Sequence, residues 1–354
     1  MQTQNWTHEF KKAFRSLPEL YQFLGFELTA ELQEVAGKYP VFVPFKLAEK
    51  IKSQGPNGTL AKQFLPHENE LINHDAGFDD PIGDKKFLKA PQLIHRYLSR
   101  ALFAPTTICP VHCRYCFRKN ELNQNDEIFK PEFEKTLSYL KVHPEISEII
   151  FTGGDPFTLT DEKLKFFLDA FNDIKTIKDI RFHSRYPSIF PERIDAGLIA
   201  VLKNASKKFR TVTVAVHCNH DSELDHTSVQ ALRALSDSGV QLLSQTVLLK
   251  GINDNEKALM DLIQLFLESK VRPYYLHHPD QVKGGMHFYL TLEEGRKIYQ
   301  GLRQHLPGWA IPQYIIDLPE GQGKTPAFNP ESHTFSGHLL SLTGNKVTIK
   351  EPVI

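Results

Sequence analysis

The sequence predicts an α/β fold built on a parallel sheet, and three observations point there. From residue 101 onward, short apolar runs alternate with longer amphipathic segments, as a parallel sheet with right-handed helical crossovers requires. A cysteine-rich loop, Cys109-Pro-Val-His-Cys113-Arg-Tyr-Cys116, follows directly on the first apolar run, at the carboxyl end of a strand, where parallel α/β folds place their chemistry. The ends of later runs carry glycines or polar side chains, as expected if they border one cleft. Periodicity alone leaves a doubly wound sheet and an incomplete barrel both open.

Residues 1–90 form a mostly helical, irregular extension, with apolar residues at helical spacing between Phe10 and Phe26 and a short helix over 43–51. Gly- and Asp-rich stretches at 55–58 and 75–84 read as loops. No chemistry is assigned to this extension, which reads as packing or capping. Strands are expected over 101–105, 148–152, 179–183, 211–217, 241–249 and 272–277. Helices are expected over 131–141, 161–171, 194–203, 228–238, 254–267 and 292–306. The chain thus divides into an extension (1–90), a core (91–307) and a C-terminal segment (308–354).

Composition narrows the function. The 42 acidic and 42 basic residues cancel, so no global field draws the chain to nucleic acid or to an anionic membrane. No apolar run is long enough to cross a bilayer, and the first residues lack the basic-then-apolar pattern of a leader. Four cysteines in 354 residues are not a disulfide framework. A cytoplasmic protein in a reducing compartment is expected.

Three of those cysteines, Cys109, Cys113 and Cys116, share one loop, and Cys218 lies far along the chain. Four thiolates would close a structural zinc site, and an iron–sulfur cluster ordinarily takes four. Three leave one position open for another ligand. The plain alternative is a partial zinc site or three unrelated thiols.

Other segments carry weaker signals. Gly153-Gly154 in Phe-Thr-Gly-Gly-Asp-Pro allows a ligand close to the backbone, or makes only a tight turn. His217 and Gln245 close two later strands. In His95-Arg96-Tyr97-Leu-Ser-Arg100 the two arginines, if helical, would share a face and hold a phosphate, or simply a solvated basic face. Lys324 stands in Asp317-Leu-Pro-Glu-Gly-Gln-Gly-Lys-Thr-Pro. That segment is not a phosphate-binding P-loop, because the upstream glycine is missing; taken by itself it is a turn.

The cysteine spacing followed by an aromatic residue resembles the signature of the radical S-adenosylmethionine (SAM) superfamily. The motifs HRY-x2-R, CPVHCRYCFRK, FTGGDP, HSRYP, HCNH, SQTVLL-x-GIND, RPYYLHHPD and DLPEGQGKTP, in that order, resemble lysine 2,3-aminomutase and its relatives, which include the enzymes that β-lysylate elongation factor P. The resemblance covers roughly residues 90–326. It implies a partial (β/α)6 radical SAM barrel and three cofactors: a [4Fe–4S] cluster, SAM and pyridoxal 5′-phosphate (PLP). By position, Cys109, Cys113 and Cys116 correspond to the cluster ligands. Lys324 corresponds to the catalytic lysine that binds PLP covalently. Arg96 and Arg100 correspond to residues on the PLP phosphate, with Tyr97 beside them. Gly153 and Gly154, with His217 and Gln245, correspond to residues around SAM. Arg118 corresponds to the arginine on the substrate carboxylate, and Asp280 and Asp317 to the aspartates that receive the lysine ε-ammonium.

The resemblance implies an isomerase that moves the 2-amino group of L-lysine to carbon 3, with an external electron donor. Two departures stand out. The tail from Thr343 to Ile354 has no cysteine, whereas the longer aminomutases end in a zinc-binding cysteine cluster, so no structural zinc is expected and any homo-oligomer must be held otherwise. His277 stands where those enzymes carry a tyrosine, as in the elongation-factor branch, while Asp317 matches the free-lysine branch. The runner-up reading is therefore the same chemistry serving elongation factor P. A non-catalytic metal-binding protein is a third.

Overall fold

The structure, a computed structural model, describes residues 6–121, 132–328, 338–340, 346–348 and 350. Most of the 343–354 tail on which the zinc expectation rests lies outside the described residues.

The extension begins with five short helices: α1 (Trp6–Lys11), α2 (Leu17–Leu24), α3 (Ala30–Lys38), α4 (Phe45–Gln54) and α5 (Thr59–Phe64). The helical spacing between Phe10 and Phe26 is split in two, because the Ser16 side chain caps the start of α2 and Gly25, at φ 74°, ends it. Leu20, Val43, Ile51, Leu60 and Phe64 form a small core of their own, and Val111 of the cysteine loop belongs to it. The extension is thereby fastened to the loop that carries the thiols.

The main sheet has ten strands in sequential order. It opens with β1 (Leu88–Ala90), β2 (Leu93–Tyr97) and β3 (Arg100–Thr106), paired antiparallel. The parallel strands β4 (Glu148–Gly153), β5 (Asp179–Ser184), β6 (Thr211–His217), β7 (Gln241–Val247), β8 (Arg272–His277) and β9 (Gln313–Leu318) follow β3 in register. The antiparallel β10 (Gly323–Pro326) closes the edge. Helices α6 (Phe133–Lys141), α7 (Asp161–Asn172), α8 (Tyr186–Ile189), α9 (Ala196–Ala205), α10 (His226–Asp237), α11 (Glu256–Glu268) and α12 (Leu292–His305) make the crossovers. The expected parallel α/β partial barrel is present, with β9 as a further parallel strand after the six expected.

Side-chain alternation sets what faces inward. Phe103, Phe151 and Phe182, on β3, β4 and β5, point outward into a core with Phe167 and Phe171 of α7. Their neighbours Leu102, Ile150, Arg181 and His183 line the interior. Thr160, Asp195, Asp225, Asn255 and Thr291 each cap a crossover helix through a side-chain oxygen. Among the described residues no helix is long and apolar enough to cross a membrane.

Arg96 and Arg100 do not share a helix face. They lie on β2 and β3 of a hairpin in which Tyr97 pairs with Arg100. The Lys324 segment is likewise a hairpin, with Lys324 paired to Asp317 across β10 and β9.

Candidate active site

One cavity of about 490 Å³ occupies the barrel interior, a size that suits small-molecule ligands. All twelve of the sequence-derived site residues other than Gly153 and Gly154 border it, and so do those two glycines.

The thiols sit at one end. The cysteine loop leaves β3 and is clamped by the extension: His112 donates its backbone N–H to Phe42 O at 3.1 Å and Arg114 to Gln63 O at 2.9 Å. The Arg114 guanidinium, 2% exposed, donates to both Glu70 carboxylate oxygens at 2.9 and 2.6 Å. Lys119 donates to Glu70 at 2.8 Å and to Gly284 O at 2.8 Å; burial pushes its ammonium down to about 8. Cys109, Cys113 and Cys116 are free thiols with partial exposure. Burial pushes all three up, Cys116 to about 12. Three soft donors on one immobilised loop, open to a cavity on their far side, fit a metal cluster with one site left for a further ligand.

The glycine pair holds the same loop from β4. Gly153 has φ 98°, a conformation glycine adopts freely. Gly154 donates to Thr106 O at 2.7 Å and Asp155 to Ile108 O at 2.8 Å. A Cβ on Gly154 would sit 2.5 Å from Ile108 O. The buried Asp155 carboxylate accepts from Ser184 Oγ, from Phe157 N at 3.0 Å and from Arg185 N at 2.7 Å, which ties the turn to the end of β5. His217 and Gln245 are direct neighbours on β6 and β7. Burial pushes His217 down to about 3, so its ring is neutral, and its Nε2 is buried without a partner.

The other end carries charges. The Lys324 ammonium is ion-paired with Asp317, and its backbone N–H donates to Tyr97 Oη at 2.9 Å. Asp317 also has His277 Nδ1 at 3.6 Å and Arg96 Nη1 at 3.8 Å. Its carboxyl is held far below the usual range, mainly by the Lys324 charge acting against burial. Asp280 is pushed up to about 7 by burial and then by the Asp317 charge. The Arg100 guanidinium lies 3.8 Å from the Tyr97 ring centroid, and among the described residues it has no ion pair. An amine, two arginines and a tyrosine around one cavity wall fit an aldehyde cofactor bearing a phosphate.

Of the extension, Asp84 lines the site and Glu70 holds its cysteine loop, although the sequence marks neither. Asp84 is fully buried and ion-paired with both Arg96 and Arg118. Glu70 anchors the cysteine loop as described. Both sit in polar stretches without periodicity, and their partners are distant in sequence. Arg118 also donates to Glu121 at 3.0 Å. Arg181, on β5, lines the cavity and is ion-paired with Glu148 at 3.0 Å.

The comparisons agree with this geometry. The family model for the radical SAM superfamily matches residues 103–263. The chain is similar to the L-lysine 2,3-aminomutase of Clostridium subterminale, 30% identical over 359 residues that cover 99% of this chain and 84% of that one. It is 33% identical to that of Methanococcus maripaludis over 332 residues, covering 91% and 76%. It is 31% identical to that of Escherichia coli over 328 residues, covering 91% and 94%. A parallel partial barrel with three thiols on the loop after its first parallel strand defines a radical SAM enzyme. More narrowly, the chain belongs to the lysine 2,3-aminomutase family. The cofactors of that family are a [4Fe–4S] cluster, SAM and PLP.

Proposed function

We propose that the chain moves the 2-amino group of L-lysine to carbon 3, giving β-lysine, with PLP as the group that carries the nitrogen. The observation that carries this reading is the ion pair of Asp317 with the Lys324 ammonium inside the cavity that the three thiols border. Lys324 ends in the same ammonium as the substrate, so the Asp317 carboxylate already receives a lysine head group.

In this reading Cys109, Cys113 and Cys116 hold the cluster, and Gly153, Gly154, His217 and Gln245 surround SAM. Lys324 holds PLP, with Arg96, Tyr97 and Arg100 toward its phosphate. When bound, the cluster and SAM supply reversible hydrogen-atom abstraction, and PLP supplies a carbon that holds the amino group in transit. The chain's own residues bind and orient. Arg118 takes the substrate α-carboxylate in a charge-assisted hydrogen bond. Asp280 and Asp317 take the ε-ammonium once the Lys324 nitrogen is engaged elsewhere. A cation receptor and an anion receptor bordering one cavity select a molecule with a carboxylate and a distal ammonium. The same aspartates repel a distal carboxylate such as that of glutamate. The barrel wall and the extension exclude water, which protects reactive species and strengthens each charge contact.

Anaerobically reconstituted protein, supplied with SAM, PLP, dithionite and L-lysine, should form β-lysine, and glutamate in place of lysine should give no product. Cleavage of SAM with lysine recovered unchanged would overturn the reading.

A further inference from the structure

Among the described residues, Asp84 is the one carboxylate ion-paired with both Arg96 and Arg118. One oxygen, Oδ1, pairs with Arg96, and the other, Oδ2, with Arg118. The residue has no solvent exposure. Its backbone N–H donates to Asp80 Oδ1 at 3.1 Å, and the neighbouring Lys85 N–H donates to Asp80 Oδ2 at 3.1 Å. The preceding Gly83, at φ 67°, packs backbone to backbone on the Lys324 hairpin: a Cβ there would lie 2.5 Å from Gly321 N. The turn that carries Asp84 is therefore locked to the hairpin that carries Lys324. Arg96 is further fixed by Ile82 O at 3.0 Å and Arg118 by Glu121 at 3.0 Å. Arg96 Nε and Arg118 Nε are both buried without a partner. Each guanidinium thus keeps its Nε–H uncommitted.

We propose that Asp84 is a positioning residue that ties the Arg118 guanidinium to Arg96 and holds it in place, and so sets the affinity for the substrate α-carboxylate. The inference rests on the reading that Arg118 takes that carboxylate. Without the bridging charge the two cations repel one another in a medium of low dielectric, and Arg118 turns away from its place. The extension then contributes directly to substrate recognition rather than only covering the barrel.

The test is calorimetric titration of the reconstituted holoenzyme, without reductant, using L-lysine and L-lysinamide. The amide keeps both amino groups and lacks the carboxylate. Asp84→Asn should weaken L-lysine by about tenfold or more and leave L-lysinamide within about twofold of its wild-type constant, since a charged hydrogen bond is lost only by the acid. Parallel weakening of both ligands, or no change in either, overturns the proposal. If the Asn variant does not retain iron, Asp84→Glu reads the same ratio: a loss confined to lysine supports the receptor, and equal losses overturn it. Failure of the underlying reading looks different, because the wild-type protein would then bind lysine no better than lysinamide.

Discussion

Lys324 and Asp317 face each other across an antiparallel ladder, and the ammonium of one is ion-paired with the carboxylate of the other. The backbone pairing of β9 with β10 enforces the meeting, so the amine and its acceptor are delivered to the cavity as a unit. In the proposed reaction the pair must separate, since both groups have other work.

Replacing Lys324 with Ala should abolish the visible absorbance of lysine-bound PLP and its trapping by borohydride. Iron and sulfide content should stay at wild-type levels, because the polar contacts of Lys324 go to Asp317 and Tyr97 rather than to the loop that bears the thiols. Unchanged absorbance would remove Lys324 from its role.

Lysine affinity should depend on pH through Asp280. Its carboxyl is pushed up to about 7, so it is neutral below that pH and charged above it. Binding of the ε-ammonium should therefore tighten as pH rises between about pH 6 and about pH 8. Asp280→Asn should weaken binding at the upper end and flatten the profile, as read by the dissociation constant of lysine at each pH.

Gly154→Ala should cost the cluster. The added methyl meets the backbone of the cysteine loop, 2.5 Å from Ile108 O and 2.6 Å from Thr107 C, and neither atom belongs to a flexible side chain. The loop must shift, and iron retained after reconstitution should fall well below the wild-type level while the helical circular dichroism persists.

Glu70→Gln should destabilise the fold. It leaves the buried Arg114 and Lys119 without their shared counter-charge, a change that costs about 3–5 kcal/mol when a buried pair is broken. Chemical denaturation should show it as a lowered midpoint, with iron lost earlier in the titration than in the wild type.

The strands were legible where β-branched, aromatic and leucine residues cluster. The expected bounds of 211–217 and 272–277 coincide with β6 and β8. The β2–β3 hairpin was not, because Arg96 and Arg100 are spaced as on a helix face and face the barrel lumen only through the turn at Leu98 and Ser99. β9 escaped too: Tyr314, Ile315 and Ile316 are apolar, but the polar Gln313 and Asp317 that flank them and the glycine-rich turn beyond read as loop. The cysteine loop and the Lys324 segment were legible because their chemistry lies in contiguous residues. Asp84 and Glu70 were not, since an acidic residue in a polar stretch reads as solvated. Their burial is decided by Arg96, Arg118 and Arg114, which only the folded chain brings to them.

The central claim is an intramolecular shift of nitrogen. L-Lysine labelled with heavy nitrogen at the α-amino group, incubated anaerobically with the reconstituted protein, SAM, PLP and dithionite, tests it by nuclear magnetic resonance. The label should become bonded to carbon 3 in a product that keeps all of it. Label that stays on carbon 2, or leaves as free ammonia, would contradict it.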